Sequence, residues 1–390
     1  MTYDSIIAGA GFAGAVAARV LAEAGRRVLV LEQRPHVGGN AFDCLDASGI
    51  LIHQYGPHIF HTNDKTVFDF LSRFTAWRAY EHEVVANLPT GNGRMELPVP
   101  FNLASLRLAF GPVRAAQLQE KLIAAYGAGT KVTILQLREA TDPALSELAQ
   151  YVYDHVFVRY TMKQWGQTPE EIDPAVTARV PVFLSEDCRY FQDTYQGMPL
   201  HGYTALFENM LRHENINLRL NTDAREHLRF ENGTILFDGT NFTGDVIYSG
   251  PADELFSCCF GRLPYRTLDF KFETFPADVV QSHGTVNYTM DEDYTRITEF
   301  KYLTGQVRPG VTTTVKEYSR AYTGADGEIP YYAIANADTA ALYAKYAEKA
   351  AQFPRLHLLG RLAEYRYYNM DAIVAGALAL SRTLIGESAC

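Results

Sequence analysis

The sequence predicts an α/β fold of three parts, and three observations carry that prediction. Ser5-Ile6-Ile7-Ala8 is a short apolar run that leads into Gly9-Ala10-Gly11-Phe12-Ala13-Gly14, then a helical pattern from Ala15 to Ala24, then a second apolar run, Val28 to Leu31, ending at Glu32. Strand, glycine turn, helix, strand and acid, in that order, are the parts of a Rossmann-type dinucleotide unit. From Asn102 to about Glu171 the apolar spacing is helical, with no persistent strand alternation, so a helical bundle interrupts that unit. From about Tyr265 to Tyr332 the alternation has period two, as in Thr285-Val286-Asn287-Tyr288 and Thr312-Thr313-Thr314-Val315, which predicts an antiparallel sheet.

Each residue of the first motif has a physical task. Gly9 permits the tight turn, Gly11 lets backbone N–H groups approach a pyrophosphate, and Gly14 lets helix and sheet pack closely. The helix N-terminus, at Phe12 and Ala13, adds about half a positive charge facing the phosphates. Glu32 stands 18 residues past Gly14, where a carboxylate accepts ribose hydroxyls and repels a 2′-phosphate, which disfavours NADP. Gly38-Gly39, followed by Asn40, supplies a second close approach of backbone to the same ligand. The combination resembles the FAD-binding, glutathione-reductase type of Rossmann domain more than an NAD dehydrogenase.

Composition sets outer bounds. With 390 residues and 47% hydrophobic content the chain is long enough for two or three filled cores. A net charge of −10 argues against nucleic acid as a partner, so phosphate recognition must come from a few placed arginines. Cys44, Cys188, Cys258, Cys259 and Cys390 show neither C-x-x-C nor zinc spacing and read as thiols in a reducing compartment. Asp4 beside the first strand leaves no basic leader, and no apolar run reaches membrane-spanning length. These observations predict a soluble, cytoplasmic protein without membrane association. The 24 tyrosines and 22 phenylalanines suit stacking against flat rings or sugar faces.

Along the chain, residues 49–62 read as a strand and a turn at Gly56-Pro57, and residues 63–77 as a helix. Residues 80–97 alternate around Thr90-Gly91-Asn92-Gly93. Helices are expected at Leu103–Phe110, Val113–Tyr126, Leu145–Tyr153 and Val156–Trp165, followed by a mobile loop near 168–181. Then come a helix at Leu206–His213, a buried strand at Asn217–Leu220 and a hairpin about Asn232-Gly233. A strand at 245–251, one at 356–361 and a helix at 371–384 complete the list. The expected division is 1–78, 196–260 and 354–390 for the dinucleotide domain, 102–178 for the helical insert, and 79–101, 179–195 and 261–353 for the sheet domain.

Three clusters could carry chemistry. His58 and His61 in Tyr55-Gly56-Pro57-His58-Ile59-Phe60-His61 could be metal ligands, yet no acid or further His/Cys spacing completes a site, so no metal is expected. Packed core histidines, or backbone pressed on a flat ligand, are the simpler readings. Tyr160-Thr161-Met162-Lys163-Gln164-Trp165-Gly166 could be an aromatic helix end in a core. Arg179, Arg296 and Arg361 stand beside aromatics, although single arginines are usually solvated.

Beyond these, GAGFAGAV, YGPHIFHT, YTMKQWG, YQGMP, YTRITEFK, KEYSR, IPYYAI and GRLAEYRYYNMD follow one another across nearly the whole chain. Together they resemble the bacterial UDP-galactopyranose mutases. That resemblance implies interconversion of UDP-galactopyranose and UDP-galactofuranose on reduced FAD, with attack of flavin N5 on the anomeric carbon and no net redox change. It implies Arg179 and Arg296 as diphosphate-binding catalytic arginines, with Arg179 on a loop that closes over substrate, and His61 beside the reacting edge of the flavin. Tyr332 and Tyr367 would bond the diphosphate, while Phe157, Tyr160, Thr161, Trp165 and Tyr190 would form the uridine end, and Arg266 would join the substrate contacts. Gly9, Gly11, Phe12, Ala13, Gly14, Glu32, Gly39, Asn40, His58, Ile59, Arg361, Asn369 and Met370 would bind the cofactor. A homodimer through the helical insert is a further implication.

Some positions depart from the family pattern. Asn369 stands where an aspartate is expected, Arg159 replaces a small residue, and the stretches 90–94 and 222–243 are longer than in compact members. An FAD-dependent amine- or prenyl-type oxidase shares the fold but leaves two diphosphate arginines unexplained. A Rab-GDI-like binding protein, built on a related fold without flavin, is disfavoured by the intact Gly9, Gly11, Gly14 and Glu32.

Overall fold

The computed structural model describes residues 3–168, 170 and 180–386. Its N-terminal unit is a five-stranded parallel sheet in the order Ile216–Arg219, Val28–Leu31, Ser5–Ala8, Asp245–Tyr248 and Leu356–Leu358. The three inner strands are buried along their whole length, as apolar runs without alternation require when both faces are covered. Helix Phe12–Glu23 packs between helices Gly202–Leu211 and Met370–Ile385 on one face. The strand expected to be buried at 217–220 is instead the edge strand Ile216–Arg219, whose side chains alternate between half-buried and exposed. Its apolar residues face only one covered side.

A hairpin turns at Asn232 (φ 49°) and Gly233 (φ 74°), both left-handed, as a two-residue turn of this kind demands. The larger sheet has seven strands, ordered Tyr332–Ala333, Tyr265–Phe275, Thr312–Ala321, Arg296–Glu299, Thr285–Asn287, Val84–Thr90 and Gly93–Val99. Every pairing in it is antiparallel except that of Thr285–Asn287 with Val84–Thr90. The helical insert covers the Val84–Val99 hairpin: Val84, Ala86, Leu97 and Val99 share a core with Leu118, Leu148 and Phe157.

Within the insert, helix Leu103–Tyr126 is broken at Gly111 (φ 71°, ψ 165°), directly before Pro112. Proline disfavours helical geometry in the residue that precedes it, which is why two periodic segments were legible there. Helix Pro143–Val152 runs through a π-turn, Tyr153–Phe157, into helix Val158–Trp165. Helix Ala337–Ala351 has no counterpart among the elements expected from sequence. It buries only Thr339, Tyr346 and Ala350, so its alanine-rich pattern has little contrast. A third, small sheet pairs Phe60–Thr62 with Tyr195–Pro199, which pairs in turn with Trp77–Ala79. It joins the two large units and carries His61. Residue 169 and residues 171–179, most of the expected mobile loop and Arg179 itself, lie outside the described residues. Among the described residues no helix is long and apolar enough to cross a membrane.

A Cβ on Gly14 would lie 1.9 Å from the Gly9 carbonyl oxygen, inside a turn that cannot yield without moving the first strand. Gly14→Ala is expected to cost roughly 1–3 kcal/mol and lower Tm by several degrees in a thermal melt. An unchanged Tm would show that the turn is not constrained in this way.

Candidate active site

The glycine turn forms a cradle. Gly9 has φ +104°, and a Cβ on Gly39 would sit 3.1 Å from Gly11 Cα, so the two glycine segments touch backbone to backbone. Helix Phe12–Glu23 starts at Gly11 without a side-chain cap, leaving its first N–H groups for a ligand. The Phe12 ring packs against Phe207 at 4.7 Å and Ala13 faces Gly360, so these two residues offer backbone rather than side chain. Glu32 is buried, and its two oxygens accept from Ala10 N (2.8 Å) and Arg34 N (2.9 Å). Each oxygen keeps a lone pair for a ribose hydroxyl. Arg34 Nη2 donates to Asn40 Oδ1 at 2.9 Å, whereas Arg34 Nη1 and Arg361 Nε are buried with no hydrogen-bond partner among the described residues. Helix Met370–Ile385 also starts without a side-chain cap, at Asn369. Close-approach glycines, two uncapped helix starts and buried guanidinium nitrogens awaiting acceptors are what a long dinucleotide anion requires. The residues fit FAD.

The substrate side begins with an aromatic group. Trp165 lies 5.3 Å from both Tyr332 and Tyr367, which are 5.4 Å apart, and the Arg361 guanidinium stands 4.7 Å from the Tyr367 ring. Arg296 Nε donates to Glu317 Oε1 at 2.7 Å, and the Glu317 side chain is wholly buried. Burial opposes the charge on Arg296, but Glu317 outweighs it, and the guanidinium pKa is raised well above its ordinary value. Burial also raises Tyr160, and pushes Tyr332 up to about 12 with the neighbouring Tyr367 hydroxyl adding to it. Both phenols are therefore neutral donors at neutral pH.

Phe157, Tyr160, Thr161, Trp165 and Tyr190 line one cavity with Asn287. The π-turn at Tyr153–Phe157 carries Phe157 and precedes the helix that presents Tyr160, Thr161 and Trp165, and such turns recur at functional sites. Arg266 binds the carbonyls of Gln164 (3.1 Å) and Lys163 (3.0 Å), so it anchors the C-terminal end of the helix that presents Trp165. That placement gives it contact with the helix end rather than a free fork toward a ligand. Asn287 Oδ1, buried without a partner, and Glu317 received no role from the sequence. KEYSR was legible as a motif, but the partner of Glu317 was not.

The four histidines nearby divide by burial. His58 takes Gly56 O through Nδ1 (2.9 Å) and gives its backbone N–H to His53 Nδ1 (3.0 Å). Its pKa falls to about 3, from burial first, then from His53, Arg361 and Arg296. His61 instead meets Asp193, at 2.7 Å, so the two histidines of the motif turn to different partners. Ile59, between them, packs at the margin of the core under the cradle. Arg179 lies outside the described residues.

Residues 155–367 match the UDP-galactopyranose mutase family, and residues 7–74 match an NAD(P)-binding Rossmann-like domain. The chain belongs to the UDP-galactopyranose mutase family. It is 37% identical to UDP-galactopyranose mutase of Mycoplasma pneumoniae, over 98% of this chain and 96% of the relative. It is also 35% identical to dTDP-fucopyranose mutase of Escherichia coli, over 97% of this chain and 98% of that one. A crystal structure of reduced UDP-galactopyranose mutase superposes with a TM-score of 0.67 over 99% of this chain and 94% of the other, at 16% identity, which speaks for the fold.

Burial lowers His53 to about 4 and His82 to about 3, whereas the same imidazoles titrate near 6.5 when unfolded. Between those limits the unfolded chain binds more protons, so stability is full above about pH 6.5 and falls as pH drops through that window. Each imidazole is expected to cost about 1–2 kcal/mol of stability at pH 5 relative to pH 7. Urea unfolding at the two pH values measures the slope, and His82→Gln should flatten it. An equal slope in that variant would contradict the neutral, buried state of His82.

Proposed function

We propose that the chain interconverts UDP-galactopyranose and UDP-galactofuranose with FAD bound in its reduced form. The observation that carries this reading is Arg296. Its Nε is taken by the buried Glu317, and the guanidinium lies within electrostatic reach of Tyr160, which lines the cavity with Trp165 and Asn287, and of Tyr332, which packs on Trp165. When bound, reduced FAD supplies the nucleophile for the anomeric carbon. The residues of the chain do the rest. The Arg296 fork holds the diphosphate bidentately as it leaves and returns, and the hydroxyls of Tyr332 and Tyr367 donate to its oxygens. Trp165, Tyr160 and Phe157 stack or wall the base. The start of helix Met370–Ile385, without a side-chain cap from Asn369, favours negative charge on the flavin ring. Arg179 belongs to the same proposal as the second diphosphate arginine, on the strength of the motif order alone.

An amine-oxidase-like reaction is disfavoured by charge, because Arg296 and Arg361 repel an ammonium substrate from the cleft. The fucopyranose mutase relative makes a dTDP-sugar the alternative within the same chemistry. A cytoplasmic homodimer completes the proposal. Exposed Leu108 and Val113 on helix Leu103–Tyr126 support association through the insert, and light scattering tests it.

The first test is conversion of UDP-galactofuranose by one sample, oxidised and then reduced with dithionite. Conversion only after reduction is the expected result. No conversion by flavin-loaded protein in either state, or conversion of dTDP-fucofuranose alone, would overturn the substrate assignment. Arg296→Ala is expected to abolish turnover while FAD stays bound, as absorbance reports. Trp165→Ala should weaken UDP by about 1–3 kcal/mol in calorimetry, and unchanged affinity would move the uridine site elsewhere.

A further inference from the structure

A directed chain of hydrogen bonds ends on His61. The backbone N–H of Thr194 donates to Asn63 Oδ1 at 2.9 Å, and the Thr194 hydroxyl donates to the same oxygen at 3.1 Å. A backbone N–H can only donate, so the Asn63 amide is fixed with its oxygen toward Thr194. Asn63 Nδ2 then donates to Asp193 Oδ1 at 2.6 Å, and Asp193 Oδ2 faces His61 Nδ1 at 2.7 Å. The His61 contact holds the Asp193 carboxyl below its ordinary value, against the opposing effect of burial. An ionised carboxylate accepts only, so the Nδ1 proton of His61 is the donor. In the neutral ring the other nitrogen, Nε2, is then the bare one, and it has no hydrogen-bond partner among the described residues.

The ring is also held in place. It stacks on Phe191 at 3.6 Å and 13°. In strand Phe60–Thr62 the neighbours Phe60 and Thr62 are buried, so His61 projects from the opposite face. Thr62 Oγ1 is tied to Asp371 in the first turn of the last helix (3.0 Å), and Phe191 follows Tyr190 of the uridine cavity. His61 thus stands between the cofactor's helix and the substrate wall.

We propose that Asp193 is a positioning residue: it fixes the Nδ1–H tautomer of His61 so that Nε2 accepts a hydrogen bond from a hydroxyl of the hexose. This rests on the mutase reading, and it makes an unusual demand on variants. In Asp193→Asn the Asn63 amide still donates, so the new carboxamide must turn its oxygen to Asn63 and its NH2 to His61 Nδ1. The proton then moves to Nε2, which becomes a donor where an acceptor is needed. In Asp193→Ala no such instruction exists, and the ring chooses its tautomer freely. A carboxylate that sets a histidine tautomer is a recognised catalytic device, and its amide variant presents the wrong tautomer.

The test uses the flavin-loaded chain labelled with 15N-histidine, with His61 assigned through His61→Gln. The wild type should show a protonated Nδ1 and a bare Nε2, and Asp193→Asn should show the reverse. In turnover the order should be wild type above Asp193→Ala above Asp193→Asn. The Asn variant should lose at least tenfold in kcat/KM while its affinity for UDP, which has no hexose, is unchanged. A bare Nε2 in Asp193→Asn, or an isosteric Asn variant more active than Ala, would overturn the proposal, as would an equal loss of UDP affinity. Absence of mutase turnover in the wild type would fail the functional reading alone, since the tautomer measurement needs no substrate.

Discussion

The cleft depends on one buried ion pair, Arg296 with Glu317. The two residues face each other across adjacent antiparallel strands, and Thr295 N and Oγ1 bond the Glu317 carbonyl in the same place. Burying a carboxylate completely is costly unless a partner and good geometry offset the desolvation. Among the described residues the offset comes from a single arginine nitrogen, Nε, and Glu317 Oε2 has no partner. A pair made through Nε fixes the plane of the guanidinium while leaving its terminal nitrogens to another anion. The cost of burying Glu317 is thereby converted into orientation of a cation, which a surface arginine could not maintain.

That cation is useful only because the cofactor unit meets the sheet at the same point. The small sheet made by Phe60–Thr62, Tyr195–Pro199 and Trp77–Ala79 holds the junction. On one side Thr62 is bonded to Asp371 at the last helix, and on the other the strand leads back to the Tyr190–Asp193 turn. Arg361 belongs to both units, with its guanidinium over Tyr367 and its Nε unpartnered. Arg266, by holding the carbonyls of Lys163 and Gln164, transmits the position of the sheet to Trp165. Trp165, through Arg266, and Tyr332 are therefore positioned by the same sheet that carries Arg296.

What the sequence revealed follows the range of each interaction. The glycine cradle is local: Gly9, Gly11, Gly14 and Glu32 act through backbone geometry within one strand–helix–strand unit, so their spacing suffices. The kink at Gly111-Pro112 and the hairpin at Asn232-Gly233 are local in the same sense. Glu317, Asn287 and Asp193 are not, because each matters only through a partner brought in by the fold. Asp193 is 132 residues from His61, and nothing in either neighbourhood names the other. Helix Ala337–Ala351 escaped for a different reason, since alanine on both faces erases the periodicity that marks a helix. The edge strand Ile216–Arg219 looked buried because its apolar residues could not report how many sides of the strand are covered. Motif order across the chain singled out Arg296, Tyr332 and Tyr367, whose neighbourhoods alone are bland.

Charge closes the physical account. The chain carries a net charge of −10 and its proposed substrate is a nucleotide diphosphate, so the long-range field opposes encounter. Beyond about 8 Å that repulsion is screened at physiological salt, and attraction has to be generated at contact distance. Arg296 meets the requirement because Glu317 keeps it charged and aimed against the cost of burial, and because Tyr160 and Tyr332 add neutral donors rather than competing cations. A cleft of this design gains little from electrostatic steering and much from bidentate contact. It also keeps the anion close when the bond to the sugar is broken, which is what a reaction that must take its leaving group back requires.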